Sequence, residues 1–227
     1  MVLSRPNRFI MMVKTDKGII RAHCPTTGRL GDAKIRNLPC LYQLSENDKR
    51  KTRATVQAIS FDPPTKKGKS WIGINQVEAN RYVEFFLKTG QLDRIATGPI
   101  AREVRLGKSR IDFRVGTTLL EVKTPLILLP ASSAETISRS RFDSFDRLIR
   151  HMGELRRALR SGSRAVIVLC FLYNAKRFIP PPRTKYNARI LKAAGNASRA
   201  GVERWQINLA IGKQGVKVLR YFRSDFN

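Results

Sequence analysis

Three residues of this chain have the types and spacing to do chemistry together: Asp112, Glu121 and Lys123. They flank a Gly116-Thr117 break, in Arg110-Ile111-Asp112-Phe113-Arg114-Val115 and Thr118-Leu119-Leu120-Glu121-Val122-Lys123. In the first arm Ile111, Phe113 and Val115 alternate with Arg110, Asp112 and Arg114, the pattern of a β-strand with two unlike faces. If Gly116-Thr117 is a two-residue turn, Val115 faces Thr118, Asp112 falls opposite Glu121 and Lys123 falls opposite Arg110. Directly paired residues have Cβ atoms about 5 Å apart. Two carboxylates that close repel each other, and a divalent cation between them, Mg²⁺ or Mn²⁺, relieves the repulsion. A lysine beside such a cation orients or polarises an attacking water. The chemistry would be metal-assisted hydrolysis of a phosphodiester. Two plainer readings stand beside it: a three-residue loop would set the carboxylates diagonally, and many strands carry a wet polar face by chance.

An Asp followed on the next strand by Glu-x-Lys is the pattern written PD-(D/E)xK in nucleases. Composition points the same way. The chain has 227 residues with 44 Lys+Arg against 17 Asp+Glu, a formal charge of +27. Self-repulsion of that size is relieved by a polyanion, of which nucleic acid is the usual one. Residues 1–79 carry 15 basic and 6 acidic side chains and residues 80–227 carry 29 and 11, so the charge is no mere tail. A hydrophobic fraction of 42% with eleven Phe implies a packed core. Ribosomal, chromatin and anionic-lipid-binding proteins can share this balance. No apolar run reaches membrane-spanning length and the first residues lack a signal-peptide core, so the expected place is the cytoplasm, without a membrane. Cys24, Cys40 and Cys170 are odd in number and far apart, which disfavours a disulfide framework. With only two histidines, a zinc site is disfavoured as well. No glycine-rich nucleotide loop is present.

The elements that must position these residues fall into two halves. In residues 1–79, short strands are expected at 8–14, 19–24, 41–44, 52–61 and 70–74, separated by turn-rich breaks. Five such strands suit a small OB-like β-barrel, although another small β-fold would read alike. Residues 80–227 alternate helix and strand. Asn80 is placed to cap a helix that Gly90 stops. Strands follow at 100–106 and in the hairpin. A helix is expected over 142–159, with Phe142, Phe145, Ile149, Met152, Leu155 and Leu159 on its apolar face. Its other face would carry Arg147, Arg150, His151, Glu154 and Arg157. The run Arg164–Phe171 reads as a strand buried on both sides. A helix near 186–194 and strands at 202–210 and 216–222 complete a restriction-endonuclease-like order. The expected class is therefore α/β (α+β overall): an OB-like barrel, then a nuclease-like domain around a central mixed sheet.

Dispersed stretches in the right order make the chain resemble the sugar fermentation stimulation protein A family over nearly its whole length. They are Arg5-Pro6-Asn7-Arg8-Phe9, the loop from Ala22 to Gly31, Arg50-Lys51-Thr52, Trp71-Ile72-Gly73-Ile74-Asn75, Asn80-Arg81, Arg102-Glu103-Val104, Ser109–Phe113 and Glu121-Val122-Lys123. The resemblance implies an OB-like domain, a PD-(D/E)xK nuclease-like domain, DNA binding and a link to sugar metabolism. Departures are Thr26, Leu30, Asp32, Thr124-Pro125 and Ile149, where the family tends to have Asn, Met, Glu, Asn and Gln.

Asp112 and Glu121 are thus the expected metal ligands and Lys123 the residue beside the water. With the family's support Glu84 adds a third carboxylate, although Glu84 and Lys88 at i, i+4 also suit a solvated pair. Arg29, Arg110, Arg147, Arg150 and His151 are the expected DNA contacts. The expected partner is single- or double-stranded DNA, read with weak sequence specificity. The alternative is a non-catalytic DNA-binding regulator that uses the nuclease-like domain as scaffold. An RNA-associated structural protein would explain the charge but not the facing carboxylates.

Overall fold

The computed structural model describes residues 1–26, 35–47, 49–63, 65–126 and 145–224. Its first sheet holds β1 (Val2–Asn7), β2 (Ile10–Thr15), β3 (Gly18–His23), β4 (Cys40–Leu44), β5 (Ala54–Ile59) and β6 (Ile72–Gly73). Their order is β1-β2-β3-β5-β4, with β6 paired to β5. Apolar residues alternate inward, as Met11 and Val13 do on β2 and Ala54, Val56 and Ala58 on β5. The chain just before β4 returns to β1, since the Val2 amide donates to the Leu38 carbonyl (2.9 Å) and the Asn37 amide to Val2 (2.7 Å). These bonds draw the two ends of the sheet together, as an OB-like barrel requires. The five expected strands are present, and β1 is a sixth.

The second sheet has the order β12-β11-β10-β9-β8-β7, from β7 (Ile100–Leu106), β8 (Ser109–Val115), β9 (Thr118–Lys123), β10 (Arg164–Phe171), β11 (Glu203–Gly212) and β12 (Gly215–Arg223). β10 runs parallel to both β9 and β11; the outer pairings are antiparallel. Its residues therefore serve two cores. Val166, Val168 and Cys170 pack with helix α1 (Ala79–Lys88). Ala165 and Ile167 pack with α2 (Asp146–Ala158) and α3 (Ala188–Arg199). The expected helix start at Phe142 lies outside the described residues. Asn80 is not a cap but the second residue of α1, with Glu78 at the cap position.

The two sheets share an apolar seam. Ala58 of β5 joins the α1-side core, and Ile72 of β6 packs with Phe171 and Tyr173. Across the seam the Gly73 amide donates to the Leu172 carbonyl at 2.9 Å. A Cβ on Gly73 would lie 2.5 Å from the Leu172 Cβ, so only glycine admits this approach.

At the far end of β10, Arg164 grips Glu203 of β11 with two bonds, Nε to Oε1 (2.7 Å) and Nη2 to Oε2 (2.8 Å). The arginine holds the Glu203 carboxyl below the ordinary glutamate range. A depressed folded-state pKa contributes stability that is present above the unfolded value and lost as pH falls through the folded one. The Arg164→Met protein is expected to lose about 1–2 kcal/mol at neutral pH. In urea unfolding the gap to wild type should narrow as the pH is lowered through the carboxylate range. A gap that stayed constant would show that the pair contributes packing and no charge.

Candidate metal and nucleic-acid site

β8 and β9 pair as Val115↔Thr118, Arg114↔Leu119 and Phe113↔Leu120, so Gly116-Thr117 is the two-residue turn expected. Beyond Phe113 the strands part. Lys123 sits beside Leu169 of β10, and Arg110 sits beside Arg105 of β7. The expected Lys123–Arg110 pairing is therefore replaced. Burial alternates along β8 as expected, but the buried residues do not share one core: Ile111 belongs to the α2-side core and Phe113 and Val115 to the α1-side core. Glu103, between the partners of Phe113 and Ile111, has φ 49°, an uncommon value for a residue with a Cβ.

Into the gap between the parting strands turns Asp112. Its Oδ2 accepts the Val122 amide (2.7 Å), and its Oδ1 accepts the Asn80 side-chain amide (2.9 Å) from α1. Burial, and next the negative charge of Glu121, raise the Asp112 pKa. Glu121 is 1% exposed. Its Oε1 takes both the Lys123 ammonium and the His151 Nδ1 (2.5 Å). An ionised carboxylate only accepts, so the His151 Nδ1 carries the proton. Burial pushes the Glu121 pKa up, but His151 and Lys123 together outweigh it and bring it down. One carboxyl of the pair is thus held toward the neutral form and the other toward the ionised form.

The remaining oxygen, Glu121 Oε2, is buried and has no hydrogen-bond partner among the described residues. Such an atom costs about 1–3 kcal/mol or more unless something supplies it. Asp112 keeps spare lone pairs beside its two bonds. The donor set therefore fits a small oxygen-seeking cation, which takes one or two carboxylates and keeps several waters.

Over these residues opens a cleft of about 470 Å³, lined by Gln76, Asn80, Asp112, Lys123, Phe145 and Arg147 among others. Both α1 and α2 begin at its rim, where helix starts favour anions. Gln76 ties the cleft to both sheets. It accepts from Thr26 after β3, and its amide donates to the Thr124 carbonyl, one residue past Lys123.

The structure brings Asp112, Glu121, Lys123, Arg147 and His151 together. His151 is not on the exposed basic face expected of it. It is 2% exposed and faces Glu121, and Glu154 is buried too. Arg147 and Arg150 are exposed on α2. Glu84 is not brought to the pair, since its oxygens hold Lys88 (2.7 Å) and Arg102 (3.4 Å). Among the described residues no group of three or more His, Cys, Asp or Glu converges on one point. Arg110 pairs with Glu103 at 3.2 Å on the surface. Arg29 lies outside the described residues. Ile149 packs half-buried against the α2-side core. The contributions of Asn80, the Val122 amide and Gln76 had no signal in the sequence: the first two depend on where β8 leaves β9, and the third on the approach of Thr26 and Thr124.

Comparison with known proteins agrees with this architecture. Residues 3–74 match the SfsA N-terminal OB domain, and residues 78–215 match the sugar fermentation stimulation protein RE domain. The sugar fermentation stimulation protein homolog of Methylobacterium radiotolerans is 28% identical, covering 96% of this chain and 91% of that one. The homolog of Alcanivorax borkumensis is 30% identical over 89% and 86%. The fold is that of Pyrococcus furiosus SfsA, with a TM-score of 0.74 and 22% identity over 99% of this chain and 93% of that one.

Proposed function

We propose that this chain, which belongs to the sugar fermentation stimulation protein family, binds DNA and hydrolyses its phosphodiester bonds at the Asp112–Glu121–Lys123 cleft. The observation that carries the reading is the buried Oε2 of Glu121, without a hydrogen-bond partner among the described residues, together with Asp112 in a cleft that Lys123 and Arg147 also line. Mg²⁺ or Mn²⁺ held by Asp112 and Glu121 would supply a polarised phosphoryl oxygen and an acidified water. The Pyrococcus furiosus relative was solved in complex with Ca²⁺, a cation of the same oxygen-seeking kind. Asn80 and the Val122 amide fix the Asp112 carboxylate, while His151 fixes that of Glu121. Lys123, released from Glu121 when phosphate enters, orients the attacking water and offsets charge gathering on the phosphate. Arg147 holds a neighbouring phosphate at the rim. Binding is weakly specific in sequence and falls steeply with salt.

A second reading has its own observation: Lys123 is paired to Glu121, and apolar Ile149, where the resemblance implies Gln, packs against the α2-side core. In that reading the domain is a DNA-binding scaffold. Labelled single- and double-stranded DNA incubated with Mg²⁺, with chelator, and with the Lys123→Ala protein separates the two. Cleavage is expected with Mg²⁺ only, and the variant is expected to lose about a hundredfold or more of it. Binding with no cleavage under any condition would leave the scaffold.

A further inference from the structure

The rim of the cleft carries apolar surface that double-stranded DNA would leave unused. Phe145, just ahead of α2, is 39% exposed, and Val77, just ahead of α1, is 63% exposed. Both line the cleft that holds Asp112 and Lys123, and Arg147 lies two residues from Phe145 in the same wall. An exposed aromatic ring costs stability that the fold could have recovered by burying it, and the neighbouring Leu148 is partly buried in the α2-side core. A duplex keeps its base faces stacked on one another and offers an enzyme its phosphates and groove edges. A single strand offers base faces, and the proteins that bind it pair aromatic rings with cations along a basic groove. The cleft has that combination: the Phe145 ring, the Arg147 guanidinium and the Lys123 ammonium beside the Asp112 carboxylate, within one opening of about 470 Å³.

A second exposed ring lies on the first sheet. Phe9, on the turn between β1 and β2, is 51% exposed and carries the Arg8 guanidinium 4.4 Å from its centroid. Its carbonyl accepts the Cys24 amide, and two residues on, Thr26 donates to Gln76 in the cleft wall. The first sheet therefore offers a base-stacking position connected to the cleft by a short bonded path.

We infer that the cleft takes single-stranded DNA, with Phe145 stacking on the base next to the scissile phosphate and Arg147 holding the phosphate that follows. The inference rests on the proposed nuclease reading for the word scissile alone; the stacking itself is a binding property. Duplex DNA enters only where it is frayed or unpaired.

The test is anisotropy of a fluorescein-labelled single strand, and of the same strand annealed to its complement, in chelator so that nothing is cut. Full-length wild type, Phe145→Ala, Phe145→Trp and Arg147→Ala proteins are compared. Wild type is expected to prefer the single strand, and Phe145→Ala to lose roughly tenfold of that affinity while duplex binding stays unchanged. Phe145→Trp should restore it. Arg147→Ala should weaken both substrates and lower the salt dependence. Equal affinity for both substrates, or a Phe145→Ala loss shared equally by both or absent from both, would overturn the inference. Cleavage in Mg²⁺ indifferent to strandedness and to Phe145 would remove this inference and leave the nuclease. The expected binding pattern without any cleavage would remove the nuclease and leave the strand preference.

Discussion

The Glu121→Gln protein is expected to cleave DNA about a thousandfold more slowly than wild type while binding it at least as tightly. Glutamine keeps the shape of the side chain, so the buried site stays filled. It removes the negative charge to which His151 and Lys123 are both bonded, and an amide group takes the place of the buried carboxylate whose Oε2 has no hydrogen-bond partner among the described residues. A loss of about 4 kcal/mol of transition-state stabilisation corresponds to that factor. Binding should hold or tighten because a negative charge near phosphate is gone and the Lys123 ammonium is freed. Single-turnover cleavage and anisotropy on the same preparation read both effects. A parallel fall in binding and cleavage would mean that Glu121 supports the fold and has no separate part in the reaction.

The second large effect is structural. Gly73→Val should destabilise the whole chain by about 1–3 kcal/mol or more, since the new Cβ would meet the Leu172 Cβ and carbonyl at 2.5 and 2.9 Å. For a chain of this size the melting temperature falls by roughly 3–10 °C. The amide bond from Gly73 to Leu172 is displaced at the same time, so the sheets are pushed apart where their cores join. Loss of a single cooperative transition, with two resolved steps, is the expected calorimetric signature. An unchanged melting curve would show that the seam yields without cost.

Much of this architecture is legible in residue patterns, and the failures share a cause. The hairpin turn and the doubly buried Arg164–Phe171 strand rest on local signals, and both are present. β1 escapes such reading because Ser4, Arg5, Pro6 and Asn7 dilute its apolar residues, and proline suits a strand at the margin of a sheet. His151 marks another limit. At about 100° per residue it lies some 40° from Arg147 on one side and 40° from Leu155 on the other. The helix pattern leaves such a border position undecided. What decides it is an acid on β9, thirty residues earlier in the chain. Asn80 is a third case, since helix-start chemistry explains an asparagine there as a cap, and only the turning of β8 explains the bond to Asp112. Local rules carry the elements; the divergence of two strands, a non-local event, creates the site.

The seam through Gly73 also has a consequence in time. Its partner Leu172 leaves the ribosome about a hundred residues later, which at roughly 5–20 residues per second is a delay of about 5–20 s. During that interval the first sheet is finished except for its cover: Ala58 and Ile72 still lack their partners from β10 and the residues that follow it. A nascent chain of this kind is sticky on one side while it waits. Faster elongation through residues 80–172 would shorten the exposure, and a rare-codon pause there would lengthen it.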